Sequence, residues 1–219
     1  MPKVVDHDMR RKEIARALWA VVARGGFEAA SARAIAAEGG WSLGALRHYF
    51  DSQEGLVEFA AWELIDGAGA RIEAVYAAMP PGHTRCLRAL EELLPLDEIR
   101  EGEVRSWLAI LAKAGVSPAL HHLRESGLST ERHLCRMVVA ELSGGRRPVL
   151  GEPLPQTLEA EAVELHATIA GLCLHLAASP RLMSPANAVR VLKRQLSRIE
   201  AHAADIPADR AGRANMSPS

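Results

Sequence analysis

Between Ser42 and Phe50 the sequence reads "SLGALRHYF", and helical spacing sorts its side chains into two sets. Leu46 and Phe50, four apart, face a core, while Ser42, Leu43, Ala45, Arg47 and His48 take the N-terminal and outward part of one short helix. The outward set suits nucleic acid: arginine makes a bidentate contact with guanine or grips a phosphate, and small apolar groups such as Ala45 or Leu43 meet a thymine methyl. Elsewhere the chain carries no nucleophile motif and no glycine-rich phosphate loop. His121, His122 and Glu125 come nearest to a metal site but lack a second cluster at matching spacing, so neither a metal nor a cofactor is expected. Cys86, Cys135 and Cys173 lie far apart, which suits buried thiols in a reducing cytoplasm rather than a disulfide frame.

A helix that short needs support. Ser42 is its N-cap candidate, and Asp51 with Ser52 stops it. The helix before it starts at the cap Ser31, turns Ile35 and Ala36 inward, and ends at Gly39 and Gly40, which permit a tight turn. Two-turn helices are unstable alone, because nucleation costs more than so few hydrogen bonds return, so longer neighbours must hold them. One runs from about Asp8 to Arg24, with Ile14, Leu18, Val21 and Val22 on one face and Arg11, Lys12, Arg16 and Arg24 outside, ended by "GGF" at Gly25 to Phe27. The other runs from Gln53 to about Ala78 and carries Leu56, Phe59, Ala60, Leu64 and Tyr76.

"MPPGH" at Met79 to His83 breaks the chain, and five helical segments follow, at about 84–94, 97–114, 118–142, 155–178 and 185–202. Ser117 with Pro118 and Ser184 with Pro185 pair a cap with proline at the first helical position. Gly127 is a kink candidate, Ser143 to Pro155 is the one long loop, and residues 203–219 read as a disordered tail. The expected fold is all-α with about nine helices: a helix-turn-helix head over 1–52, and a helical body over 53–202 joined to it by the long fourth helix.

Composition agrees, with 48% hydrophobic and 4% aromatic residues in a chain of 219. Residues 1–50 hold eight Lys or Arg against five Asp or Glu, leaving 18 against 22 beyond, so a net charge of -1 hides a mildly basic N-terminal end. Neither a signal peptide nor an uninterrupted apolar run is present, and a soluble cytoplasmic protein without a membrane partner is expected.

The stretch "IAAEGGWSLGALRHYFDSQEGL", Ile35 to Leu56, resembles the signature of the TetR family of bacterial one-component transcriptional regulators, and "RRKEIARALWAVVARGGFEAAS", Arg10 to Ser31, resembles that family's first helix. The resemblance implies DNA contacts from Arg33 on the second helix and from Ser42, Leu43, Ala45, Arg47, His48 and Tyr49 on the third. The family's usual hydroxyl at Ala45 and aromatic at Arg47 are replaced, which makes Arg47 the main new reader. Trp41 replaces a common valine as a core anchor. Gln53 stands where a phosphate-neutralising lysine is frequent, and Arg10, Arg11 and Lys12 are candidates to compensate.

The resemblance further implies an operator-bound homodimer released by a small apolar or amphipathic effector. Leu158, Ala162, Leu165, Ile169, Leu172 and Leu176 form one stripe with acids outside; Ala188, Leu192, Leu196 and Ile199 form another with bases outside. Both are assigned to a two-fold four-helix interface, with packing inside one subunit as the alternative. Trp107, Ile110, Leu111, Leu134, Met137, Ile169 and Cys173 are candidate walls of an effector pocket, with His121, His122, His133 and His166 as polar contacts. A helical enzyme and a constitutive activator are the rival readings.

Overall fold

Serine hydroxyls open the helices where the sequence offers them. Ser31 Oγ accepts from the Ala34 amide at 3.2 Å, Ser42 Oγ from Ala45 at 3.1 Å, Ser52 Oγ from Gly55 at 3.0 Å and Ser184 Oγ from Asn187 at 3.2 Å. Each such cap satisfies one amide that the helix leaves without a partner and contributes about 1 kcal/mol. The computed structural model describes residues 7–114 and 120–205. Among these residues there are nine α-helices and no strand: α1 His7–Ala29, α2 Ala32–Glu38, α3 Leu43–Tyr49, α4 Gln53–Ala78, α5 His83–Glu91, α6 Glu98–Ala114, α7 His121–Leu142, α8 Gln156–Ala178 and α9 Pro185–Asp205. No helix among them is long and apolar enough to cross a membrane.

Gly26, with φ 69° and ψ -179°, interrupts α1 where "GGF" announces a break, and the short turn beyond it brings Phe27 edge-on to Trp19 at 6.1 Å. α7 passes through Gly127 as one helix, and α9 extends to Asp205, past the expected end at residue 202. The Ser117–Pro118 start and residues 206–219 of the expected tail lie outside the described residues.

The chain forms two compact units. The first combines α1, α2 and α3 with α4 up to Ala70, α6, and α7 up to Ser126; the second holds the remainder of α4 and α7 with α5, α8 and α9. This differs from a division at residue 52, because α6 packs on α1 and places Ile110 and Ala114 in the same core as Ile14, Leu18, Ile35 and Leu46. One expected outward side chain turns in. The Arg11 guanidinium lies 5.0 Å from the Phe50 ring and 4.3 Å from Phe59, where cation–π attraction holds it.

In the second unit the two apolar stripes meet each other and the rest of their own core. Ala162, Leu165, Ile169, Leu172, Leu192, Leu196 and Ile199 are all buried within this single chain, and Leu158 is half-buried against them. These residues are therefore not an exposed dimer surface: amphipathic periodicity states that a helix buries a face, not against which partner. The charge complementarity is likewise internal, since Arg198 of α9 pairs with Glu164 of α8 and His202 Nδ1 lies 2.7 Å from Glu161.

Ionic ties fix the connections. Arg85 donates to both carboxylate oxygens of Glu141, at 2.6 and 3.2 Å, and to the Met79 carbonyl at 3.2 Å, while the Gly82 amide donates to Glu141 at 2.6 Å. The break between α4 and α5 is thereby clamped to α7. Burial alone would raise the Glu141 carboxyl, but the hydrogen bonds from Arg85 and Gly82 overcome it and hold the group below its ordinary 4.5. Glu159 is held down likewise by Arg136, which donates to it at 2.7 to 3.0 Å. His133 is shifted below its ordinary 6.5 by burial, then by Arg147 and Arg136. The three cysteines are free, and burial pushes the Cys173 thiol up to about 12, so it stays protonated.

Arg85→Ala leaves Glu141 mostly buried without its counter-ion and is expected to lower the unfolding free energy by about 3 kcal/mol, readable in urea unfolding at neutral pH. Acid should act in two stages. As pH falls from about 6.5 the unfolded chain takes up a proton that His133 refuses when folded, and below about 4.5 the stabilisation held by Glu141 and Glu159 is lost as they protonate. Melting curves across that range check the sequence of losses, and a flat melting temperature from pH 7 to 4 contradicts it.

Candidate nucleic-acid interface

Two seven-residue helices, α2 and α3, are joined by a turn that only glycine fits. Gly40 takes φ 70°, in the left-handed region. The Trp41 amide reaches back to the Ala36 carbonyl at 2.8 Å and the Gly40 amide to Ala37 at 3.2 Å, which uses carbonyls that α2 leaves open at its end. The Trp41 ring then folds across Gly39 so closely that a Cβ there would lie 2.1 Å from it. Half-buried against the first core, with the Arg10 guanidinium 5.6 Å from its ring, Trp41 is the anchor expected of it. Ile35 from α2, and Leu46 with Phe50 from α3 and its end, fix the inner faces.

What remains outside is the candidate set. Arg33, Ser42, Ala45, Arg47 and His48 are exposed, and Leu43 and Tyr49 are half-buried. Ala45 thus points to solvent and contributes nothing to the core. Arg33 and Arg47 have no ion pair among the described residues. Arg47 and His48 also occupy the last turn of α3, where a cation is favoured by the helix dipole.

Neighbouring side chains behave differently. Arg10 pairs with Glu13 at 2.8 Å and Lys12 with Glu63 at 3.2 Å, so with Arg11 lying over the Phe rings none of the three proposed substitutes for a phosphate-binding lysine is uncommitted. The Gln53 amide donates to the Ala30 carbonyl at 2.7 Å and ties the start of α4 to the link between α1 and α2. His7 was missed in the sequence: its ring lies 4.6 Å from Tyr49 and 6.2 Å from His48, which joins the start of α1 to the end of α3. Only three-dimensional packing brings residues so far apart together.

The residues from 14 to 60 match the family described as "Bacterial regulatory proteins, tetR family", and residues 82–200 match "BetI-type transcriptional repressor, C-terminal". The HTH-type transcriptional regulator PksA of Bacillus subtilis is 34% identical over 199 residues, spanning 91% of this chain and 90% of that one. The chain belongs to the TetR family. A crystal structure of a transcriptional regulator from Rhodococcus sp. Rha1 superposes with a TM-score of 0.74 at 32% identity, covering 90% of this chain and 99% of that one. A Saccharomonospora viridis structure solved with choline shares the fold, with a TM-score of 0.69 at 20% identity over 89% of this chain and 97% of its own. This TetR-family chain is a DNA-binding transcriptional regulator and not an enzyme, with α2 and α3 as its helix-turn-helix.

The suggested effector walls do not converge. Trp107 and Ile110 pack in the core of the first unit, whereas Leu134, Met137, Ile169 and Cys173 pack in that of the second; Leu111 is half-buried. Amphipathic spacing identifies each as inward-facing without saying which core it enters. His121 and His122 lie on the surface, the first 4.0 Å from Glu125 and the second 3.2 Å from Glu58. His166 is held between Glu131 at 3.2 Å and Arg132 at 3.3 Å, while His133 Nδ1 is buried without a hydrogen-bond partner among the described residues.

Two glycines only five apart have opposite requirements. Gly39→Ala drives a methyl into the Trp41 ring and is expected to cost about 1–3 kcal/mol, whereas Gly44→Ala, whose Cβ meets only Ser42 Oγ at 3.9 Å, should stabilise α3 by up to about 1 kcal/mol. Chemical denaturation of the two variants distinguishes them, and equal stabilities would refute the close Trp41 approach.

Proposed function

We propose that this regulator represses by binding a double-stranded DNA operator as a homodimer and leaves it when a small apolar or amphipathic effector binds. The observation that carries the DNA reading is the pair Arg33 and Arg47, exposed and without ion pairs among the described residues, on helices whose opposite sides are fixed by Ile35 and Leu46. Ser42, Leu43, Ala45, His48 and Tyr49 supply the remaining surface. One such head spans only a few base pairs, so affinity and operator length call for two. The match of the C-terminal residues to a repressor family supports the sign of regulation. A DNA partner assigns the protein to the cytoplasm, and three free thiols suit that compartment.

The dimer face we assign is the outer side of α8. Val163, Ala167, Ala170 and Leu174 are exposed at spacings of four, three and four, with Val163 at 42% and Leu174 at 53%. Small residues between two larger apolar ones let a symmetry-related helix approach closely, and α9 adds the exposed Val191.

Choline is held by the Saccharomonospora viridis neighbour. In the second unit here the sole phenyl, phenol or indole ring among the described residues is Tyr76, already flanked by the guanidiniums of Arg85 at 4.8 Å and Arg147 at 5.0 Å. Recognition of a quaternary ammonium uses several unoccupied ring faces, so this unit favours an apolar or amphipathic effector instead.

Titration of fluorescent DNA from the region flanking the coding sequence, beside a scrambled duplex, tests the DNA reading. Preferential, salt-weakened binding is expected, with Arg47→Ala weakening it by about 1–3 kcal/mol. Equal affinity for every duplex, including those recovered from a genome-wide selection, would oppose it. Leu174→Glu buries a charge in the assigned dimer face and is expected to give monomers by light scattering with a matching loss of operator affinity; an intact dimer moves the interface elsewhere.

A further inference from the structure

Within the first unit a cleft of about 430 Å3 opens between α1, α4 and α6. Its volume is that of a small-molecule site, and it shares no residue with the DNA-reading set. The walls are firm. Trp19 Nε1 donates to the Ala60 carbonyl at 3.2 Å, which fixes the indole between α1 and α4, and Lys12 with Glu63 closes one edge as an ion pair at 3.2 Å.

Two residues of this lining stand at its open side. Gly102 sits inside α6, where glycine is disfavoured relative to alanine, yet a Cβ there would meet nothing within 4 Å. The glycine is exposed on the cleft side and is not demanded by a close neighbour, so a larger side chain can be placed there. Ile99, one turn earlier, lines the same cleft while 74% exposed, so it stands at the rim as apolar surface a ligand can cover.

The charges indicate what fits. Lys12 and Glu63 are paired with each other, and Glu103 is also engaged. Arg16 is exposed and has no ion pair among the described residues. The uncommitted group is therefore a guanidinium, whose planar fork matches a carboxylate. Two glutamates in the same lining oppose a ligand with more than one negative charge.

We infer that this cleft binds a small amphipathic monocarboxylate, its carboxylate on Arg16 and its hydrocarbon against Trp19, Leu64 and Ile99. The cleft lies wholly within the first unit and includes none of the residues suggested above as effector walls. A ligand here bridges α1, whose apolar face supports α2 and α3, to α4 and α6, and so bears on the DNA-reading surface. That consequence rests on the regulator reading, whereas binding does not, so the test omits DNA.

Calorimetric titration of the full-length protein with octanoate, octanamide and octylamine separates charge from chain. Octanoate is expected to bind at least tenfold more tightly than the amide or the amine. Arg16→Ala should remove that preference, and Gly102→Leu, which fills the space with little steric conflict, should abolish binding of octanoate while leaving the circular dichroism unchanged. The inference is overturned if acid, amide and amine bind alike, if octanoate fails to bind at millimolar concentration, or if its affinity is unaltered in both variants, which would move it to another site.

Discussion

A helix of seven residues cannot exist by itself. Its first turn fixes several residues for one hydrogen bond, and two turns never recover that cost. α2 and α3 persist because three contributions act together: serine caps at Ser31 and Ser42, buried anchors at Ile35 and Leu46, and the return of Trp41 over Gly39. Every feature of the DNA-reading surface depends on this constraint. The inner faces must be spent entirely on packing, so the outer faces are free to carry residues chosen for chemistry alone.

Whether an arginine is available follows from what lies around it rather than from its place on a helical wheel. Arg11 and Arg16 both fall on the expected outer side of α1. Two phenylalanine rings, Phe50 from the end of α3 and Phe59 from α4, draw Arg11 in, and nothing comparable reaches Arg16. Local periodicity distinguishes inside from outside for aliphatic side chains, as the burial of Ile14, Leu18, Val21 and Val22 demonstrates. For long cations with an apolar stem it does not, because their neighbours come from other helices.

The same division explains what was legible in the sequence. Caps, glycine turns and proline breaks are local, so the helix starts at Ser31, Ser42 and Ser184 and the span of α4 could be read directly. The stripes of α8 and α9 were legible as stripes, but an isolated sequence offers no means of telling a chain's own core from a twin's. Leu165 and Leu196 went to the former, which leaves the weaker pattern of Val163, Ala167, Ala170 and Leu174 as the face to be covered. The pocket residues failed for a related reason. Trp107 and Ile169 are each inward-facing, yet tertiary structure sends them into different cores. The cleft beside Trp19 has no local signature beyond a glycine in α6, since it is defined by three helices from distant parts of the chain.

Charge balance gives the clearest link from composition to function. The first fifty residues carry eight cations against five acids, an excess too small to suggest a polyanion partner. Lys3 lies outside the described residues; Arg10, Lys12 and Arg24 are paired with Glu13, Glu63 and Glu38, and Arg11 is held by aromatic rings. Arg16, Arg33 and Arg47 remain. In the second unit, by contrast, Arg85, Arg136 and Arg198 are each fixed to a carboxylate and serve the fold. A desolvated ion pair costs nearly what it returns, so such pairs position structure without attracting an external anion, whereas an unpaired guanidinium at the surface retains its full capacity to bind one. Two of the three free arginines stand on the helix-turn-helix and the third at the cleft between α1, α4 and α6. Pairing, not net charge, is what singles out the candidate DNA-binding surface and the proposed carboxylate cleft.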